Sequence, residues 1–128
     1  MKYLYPNQVL FLHKKIMEQM GSEGGVRDLG LLESAVYRPQ SSFGGQDLYP
    51  DLFLKAAALI HSIVRNHPFV DGNKRTGFEA MSLFLYVNGR EIKASVEESY
   101  RFVIRIAQDR SFSEENTAEW LKTHSEIV

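Results

Sequence analysis

The sequence predicts an all-α fold, a bundle of about six helices with a short flap or hairpin before the central helix, from three observations. Apolar residues recur at three- and four-residue intervals in one segment after another. Helix start and stop residues bracket those segments. Residues 40 to 50 stand apart, with two adjacent glycines and no helical period.

In order, Pro6 and Asn7 introduce a first helix whose apolar positions are Val9, Leu12, Ile16 and Met20, and Gly21 to Gly25 stops it. Asp28 is the N-cap of a second helix using Leu29, Leu32, Ala35 and Val36, halted by Pro39. The stretch Ser41-Ser42-Phe43-Gly44-Gly45-Gln46-Asp47-Leu48-Tyr49 carries aromatics that a solvated linker would lack, and is read as a mobile flap. A third helix begins near Asp51 with the stripe Phe53, Ala57, Ile60 and Val64. Three residues further the stripe reaches His67, which places the imidazole on the buried face as the helix ends. Ala56, Ala57 and Ala58 are small for a core helix, and the fourth helix offers Gly77 and Ala80 early on, which lets two helix axes approach closely. The fourth helix starts at about Lys74, continues through Met81, Phe84, Leu85 and Val87, and stops at Asn88-Gly89. Ser95 with Glu98 forms a capping box for a fifth helix with the face Tyr100, Val103, Ile104 and Ala107. Ser113 caps a sixth helix through Trp120 and Leu121.

A chain of 128 residues is expected to form one domain, residues 1–128, with a core that needs no staples. Fifteen basic against sixteen acidic side chains leave a formal charge of −1, so no global field draws it to nucleic acid or an anionic membrane. The absence of cysteine excludes disulfides and thiol catalysis. The N-terminus lacks the apolar core of a signal peptide, and the apolar run Leu52 to Val64 is too short to span a bilayer. A soluble, cytoplasmic protein is the expectation.

The chemistry is concentrated in His67-Pro68-Phe69-Val70-Asp71-Gly72-Asn73-Lys74-Arg75-Thr76-Gly77. Pro68 excludes the α region for His67, so the third helix ends there. Gly72 and Asn73 read as turn and N-cap residues, which aims the free N–H groups of the next helix at the loop and makes an anion site. Lys74 and Arg75 add charge to it, Asp71 can hold a hard divalent cation, and His67 can accept a proton near neutral pH. Singly, these residues have plainer readings: a structural histidine, an Asp-Gly turn, a cap. Their convergence within eleven residues favours a site for a metal-bound phosphate beside a base. Phe69 is read as a hydrophobic plug. No G-x-x-x-x-G-K-[ST] frames the lysine, and neither His-Arg-Asp nor Asp-Phe-Gly occurs. His61 and His67 point apart on a helix, which argues against a shared zinc site, while His13 and His124 read as surface residues.

This segment resembles the signature of the Fic/Doc family, H-P-F-x-[DE]-G-N-G-R-x-x-R, and most of all its Doc branch, the death-on-curing toxins. Where the pattern has glycine after asparagine this chain has Lys74, and where it ends in arginine this chain has Phe78. Arg27-Asp28-Leu29-Gly30-Leu31-Leu32-Glu33-Ser34-Ala35 and Val87-Asn88-Gly89 also look like that branch, so the likeness spans roughly residues 25 to 89. The resemblance implies a Fic-like fold in which His67 is general base, Asp71 holds Mg²⁺, Gly72, Asn73, Lys74 and Arg75 bind ATP, and Arg75 and Lys74 stabilise transition-state charge. Lysine at 74 goes with an inverted nucleotide that presents its γ-phosphate. That implies a kinase acting on a Ser or Thr of elongation factor Tu, a cognate antitoxin whose C-terminal helix fills an apolar groove, and no direct role for nucleic acid. AMP transfer to a protein hydroxyl and a non-catalytic phosphate-binding module are the alternatives. Ser111-x-x-x-Glu115-Asn116 matches a loose pattern for an inhibitory helix, but capping by Ser113 explains the same residues.

Overall fold

The computed structural model describes residues 1–128. Six helices dominate: α1 (Pro6–Met20), α2 (Leu29–Tyr37), α3 (Leu52–Asn66), α4 (Asn73–Val87), α5 (Val96–Gln108) and α6 (Glu114–Thr123). A 3-10 turn at Arg38–Gln40 follows α2, as Pro39 requires. The flap is a hairpin of β1 (Ser42–Phe43) and β2 (Gln46–Asp47), turned by Gly44 and Gly45 at φ of 59° and 79°. Both central residues of the turn sit at positive φ, the geometry that two glycines permit. No helix is long and apolar enough to cross a membrane.

Helix α3 is the axis of the bundle. It is buried from Lys55 to Val64, with α2, α4, α5 and α6 packed against it and α1 set against α4 and α2. Gly77 does allow a close approach, but what it meets on α3 is Val64, Ile60 and Ile63 and not Ala56 to Ala58: a Cβ on Gly77 would stand 2.9 Å from Val64 Cγ2. Helix α4 therefore lies against α3 over the turn that precedes the His67 loop. The core draws on all six helices, from Val9 through Leu32, Ile60, Phe84 and Ile106 to Leu121.

The flap is tied to α3 by a buried cation. Lys55 Nζ donates to Pro39 O and pairs with Asp47 Oδ2, both at 3.1 Å, and stands over the Tyr3 ring. A second buried polar group joins α3 to α6. His61 Nε2 lies 2.7 Å from Thr117 Oγ1, and Nδ1 lies 3.1 Å from Glu114 Oε1 but off the line of a hydrogen bond. Arg38 reaches Ser62 Oγ at 2.9 Å and Glu114 Oε2 at 3.5 Å. Arg65 donates to the carbonyls of Ile106, Asp109 and Phe112, binding the α5–α6 turn to the end of α3.

Three expectations are corrected. A second hairpin-like sheet exists, β3 (Arg90–Ile92) paired antiparallel with β4 (Ser125–Ile127). Its strands are three residues long and separated by two helices, so neither shows a period that could be read locally. On α5 the buried face is Phe102, Val103 and Ile106, not Tyr100, Val103, Ile104 and Ala107. Val96 and Tyr100 stay exposed, at 89% and 65%, because the aromatic column of Phe102, Trp120 and His124 turns the helix toward α6. His124, stacked on Trp120, is accordingly half-buried and not a free surface residue.

Candidate active site

The His67 loop is built by contacts from three directions. Pro68 does end α3, and His67 takes the left-handed conformation with φ 52° and ψ 59°. It is the only non-glycine residue at positive φ. Histidine visits this region more readily than branched residues do, but the conformation still has to be held. The carbonyl of Pro68 accepts from Arg27 N and Asp28 N at 2.8 and 3.0 Å, and Val70 N donates to Gly25 O at 2.9 Å. An isolated antiparallel bridge pairs Val26 with Phe69. The segment before α2 is thus a backbone brace for the loop.

Phe69 is the plug the sequence suggests, 1% exposed. Its partner is His13 of α1, whose ring stacks on it at 3.7 Å and 7° while Nε2 lies 2.9 Å from Asp71 O. His13 is 4% exposed, which overturns its reading as a surface residue. The signal was present in the periodicity: His13 lies four residues after Val9 and three before Ile16, both buried. A carbonyl accepts, so Nε2 carries the proton that holds Asp71 in place.

Asn73 also differs from expectation. It is the first residue of α4, not its cap, and Gly72 at φ 79° precedes it. Its side chain folds back over the loop, where Oδ1 accepts from Phe69 N at 3.0 Å and Nδ2 donates to Phe69 O at 2.9 Å. Nδ2 also stands 3.5 Å from His67 Nδ1, the outer limit of hydrogen bonding. The amide closes the loop in the way a neighbouring strand would. A side chain at Gly72 would run into Met17 as well as strain the backbone.

With Asn73 occupied, α4 begins uncapped. Asp28, Asp51, Ser95 and Ser113 each cap their own helices with a side-chain oxygen. The first N–H groups of α4 face a cleft of about 520 Å³ lined by Met20, His67, Val70, Asp71, Gly72, Asn73, Lys74 and Arg75. All six residues singled out from the sequence meet there. The placement of His67 is the exception to expectation: it lies at the cleft wall, exposed, not on the buried face. The left-handed turn takes the residue off the helical stripe that the spacing extrapolates. Arg75 Nη2 donates to Gln19 Oε1 at 2.6 Å, which ties the end of α1 to the cleft wall.

Asp71 has the donor set for one kind of cation. Its Oδ1 accepts from Gly72 N at 2.8 Å and its Oδ2 from Ser22 Oγ at 3.2 Å, leaving a lone pair on each oxygen. No cluster of three acidic, histidine or cysteine side chains forms a protein cage. One carboxylate facing an anion site fits a Mg²⁺ that takes its other ligands from phosphate and water.

Phe78 is absent from the cleft. It lines two cavities on the other side of Lys74 and Arg75, one of about 280 Å³ with Val96, Tyr100, Val103 and Ile104, the other of about 520 Å³ with Leu12, Leu83, Tyr86 and Ile92. The segment Ser111 to Asn116 has local work: Ser111 bonds Asp109, and Ser113 with Asn116 forms a capping box. None of its residues lines the cleft.

A family model described as the Fic/DOC family matches residues 3–85. A relative named Toxin Doc, from Mycolicibacterium smegmatis (strain ATCC 700084 / mc(2)155), is 52% identical over 77 residues, covering 60% of this chain and 59% of that protein. Another, Protein kinase doc of Escherichia phage P1, is 31% identical over 97 residues, covering 76% of each. The chain therefore spans less than two thirds of the first relative and about three quarters of the second.

Proposed function

Since the chain belongs to the Fic/Doc family, and within it to the Doc branch, we propose that it is the toxin of a toxin–antitoxin pair and a protein kinase. The reaction is transfer of the γ-phosphate of ATP to a Ser or Thr hydroxyl of a protein, with elongation factor Tu as target, arrest of translation as outcome and the cytoplasm as the place. The acceptor oxygen forms a bond to the γ-phosphorus as the bond to the β-bridging oxygen breaks. The hydroxyl proton passes to the His67 imidazole, and ADP leaves.

The polar groups of the cleft divide the work. The free N–H groups at the start of α4 and the Arg75 fork hold phosphate oxygens and the charge that builds on them. Asp71, held by His13 and Ser22, would keep Mg²⁺ against the phosphates, where the ion neutralises charge. Residues 42–47 offer a short edge strand, with Phe43 82% exposed, on which an extended target segment could pair.

The observation that carries kinase over AMP transfer is the pairing of Lys74 with Phe78. Lys74 puts bulk and charge into the cradle where an open backbone would otherwise take the inner phosphates. Phe78, where the family pattern has arginine, turns to apolar cavities and offers no cation to a phosphate. Those two cavities share Phe78, Val96 and Ser99 and form the apolar groove for the C-terminal helix of an antitoxin. A helix seated there ends beside Lys74 and Arg75, and so blocks the cleft while burying apolar surface.

The test is label transfer from ATP to elongation factor Tu with Mg²⁺, run once with the label on the γ- and once on the α-phosphate. The expected result is γ-label transfer that is lost in His67→Ala. Transfer of α-label would assign AMP transfer instead, and neither label, with toxicity intact in His67→Ala, would assign a binding module.

A further inference from the structure

We propose that Arg27, which lies outside the signature, is a positioning residue for the base: it holds His67 in the left-handed turn that brings the imidazole to the cleft. The inference rests on the reading of His67 as the proton acceptor. His67 is the one non-glycine residue at positive φ, so some contact must maintain a conformation that its backbone does not favour. Arg27 makes that contact. Its Nε donates to His67 O at 2.7 Å and its Nη2 to Asn66 O at 2.8 Å. Its own backbone N–H donates to Pro68 O at 2.8 Å. Three consecutive carbonyls, 66 to 68, thus end on one residue.

The chemistry of the guanidinium suits the task. Two N–H groups on one planar edge reach two adjacent carbonyls at once, which a lysine ammonium on a flexible stem does not reproduce. The charge also lies at the carbonyl end of α3, where the helix dipole favours a cation. Arg27 is itself held, by the Val26–Phe69 bridge before it and by Asp28 capping α2 after it. It does not line the cleft, so its effect on catalysis runs through His67 alone.

The experiment uses the full chain with Arg27→Ala and Arg27→Lys, folding of each checked by circular dichroism. Expected in both is a loss of about 100-fold in kcat for γ-phosphate transfer, with KM for ATP unchanged. Methylguanidine should restore part of the rate to Arg27→Ala and none to Arg27→Lys. The intraresidue HN–Hα NOE of His67, which is strong at positive φ and weak at negative φ and needs no activity to read, should weaken in both variants. Unchanged kcat with only a lower melting temperature would overturn the proposal, leaving Arg27 a helix cap. If the unmodified protein transfers no γ-label, the proposed function fails by itself; the NOE then decides whether Arg27 holds the turn, and an unchanged NOE refutes it.

Discussion

Asn73 is where the structure makes its sharpest energetic claim. Replacing it with alanine removes Oδ1 from Phe69 N and Nδ2 from Phe69 O, two bonds in a region where Phe69 is buried. A buried backbone group left without a partner costs about 1–3 kcal/mol. Two such groups give about 2–4 kcal/mol if water enters the space the amide leaves. Against a typical domain stability of about 5–15 kcal/mol this is a large fraction. Asn73→Asp is the more discriminating variant, because it keeps the acceptor for Phe69 N but sets a carboxylate oxygen against Phe69 O. Urea unfolding should show a lower midpoint for both with an unchanged m-value. Label transfer should fall more than the loss of folded protein explains, since the same side chain closes the loop that carries His67. Stability of Asn73→Ala within about 0.5 kcal/mol of the unmodified chain, the range of neutral surface changes, would refute the reasoning.

Other outcomes follow from specific contacts. Gly77→Ala places a Cβ 2.9 Å from Val64 Cγ2 and should cost about 1 kcal/mol net, overpacking outweighing better helix propensity. Combined with Val64→Ala it should be less destabilising than the sum of the two, and simple additivity would show that α3 and α4 do not meet there. Burial and the guanidinium groups of Arg65 and Arg38 push the His61 imidazole from its ordinary 6.5 down to about 3. The unfolded chain therefore takes up a proton below about pH 6.5 that the folded chain refuses until about pH 3. This contribution to stability is complete above the first value and is lost as pH falls toward the second. Between pH 7 and pH 5 it amounts to about 2 kcal/mol, which His61→Gln should remove from a urea-measured pH profile; an identical slope in the variant would exclude His61 as its source. Lys74→Gly should shift label transfer from the γ- toward the α-phosphate, and unchanged chemistry would remove Lys74 from its proposed part in choosing the reaction.

The flap and the cleft share a support. Lys55 ties the hairpin to α3 through Asp47, and nine residues after the end of that buried stretch the same helix has given way to the start of α4 at the cleft. A target segment paired with the hairpin and a nucleotide in the cleft would both be referenced to one rigid element. Sites on such elements keep reacting groups aligned better than sites on free loops.

Local chemistry determined much of this protein. Caps at Asp28, Asp51, Ser95 and Ser113, the stripe of α3 and the double glycine of the flap act over a few residues, so each was legible where it stands, whereas Met20 of α1 and Leu29 of α2, read into buried stripes, are 47% and 53% exposed. The motif placed six site residues in eleven positions of sequence, and the structure gathers all six around one cleft. What tertiary structure alone decided depends on partners remote in sequence. The β3–β4 pairing joins segments 35 residues apart, as the Arg90 to Ser125 bonds do. The face that α5 buries was settled by an aromatic column supplied from α6. His13 braces the His67 loop because Phe69 and Asp71, 56 and 58 positions away by sequence number, come to it. Arg27 gains its part only when carbonyls 39 and 40 residues away reach its guanidinium. Helical period and capping are short-range effects written into neighbouring residues; the conformation of His67 is held by contacts that exist only once the chain has folded.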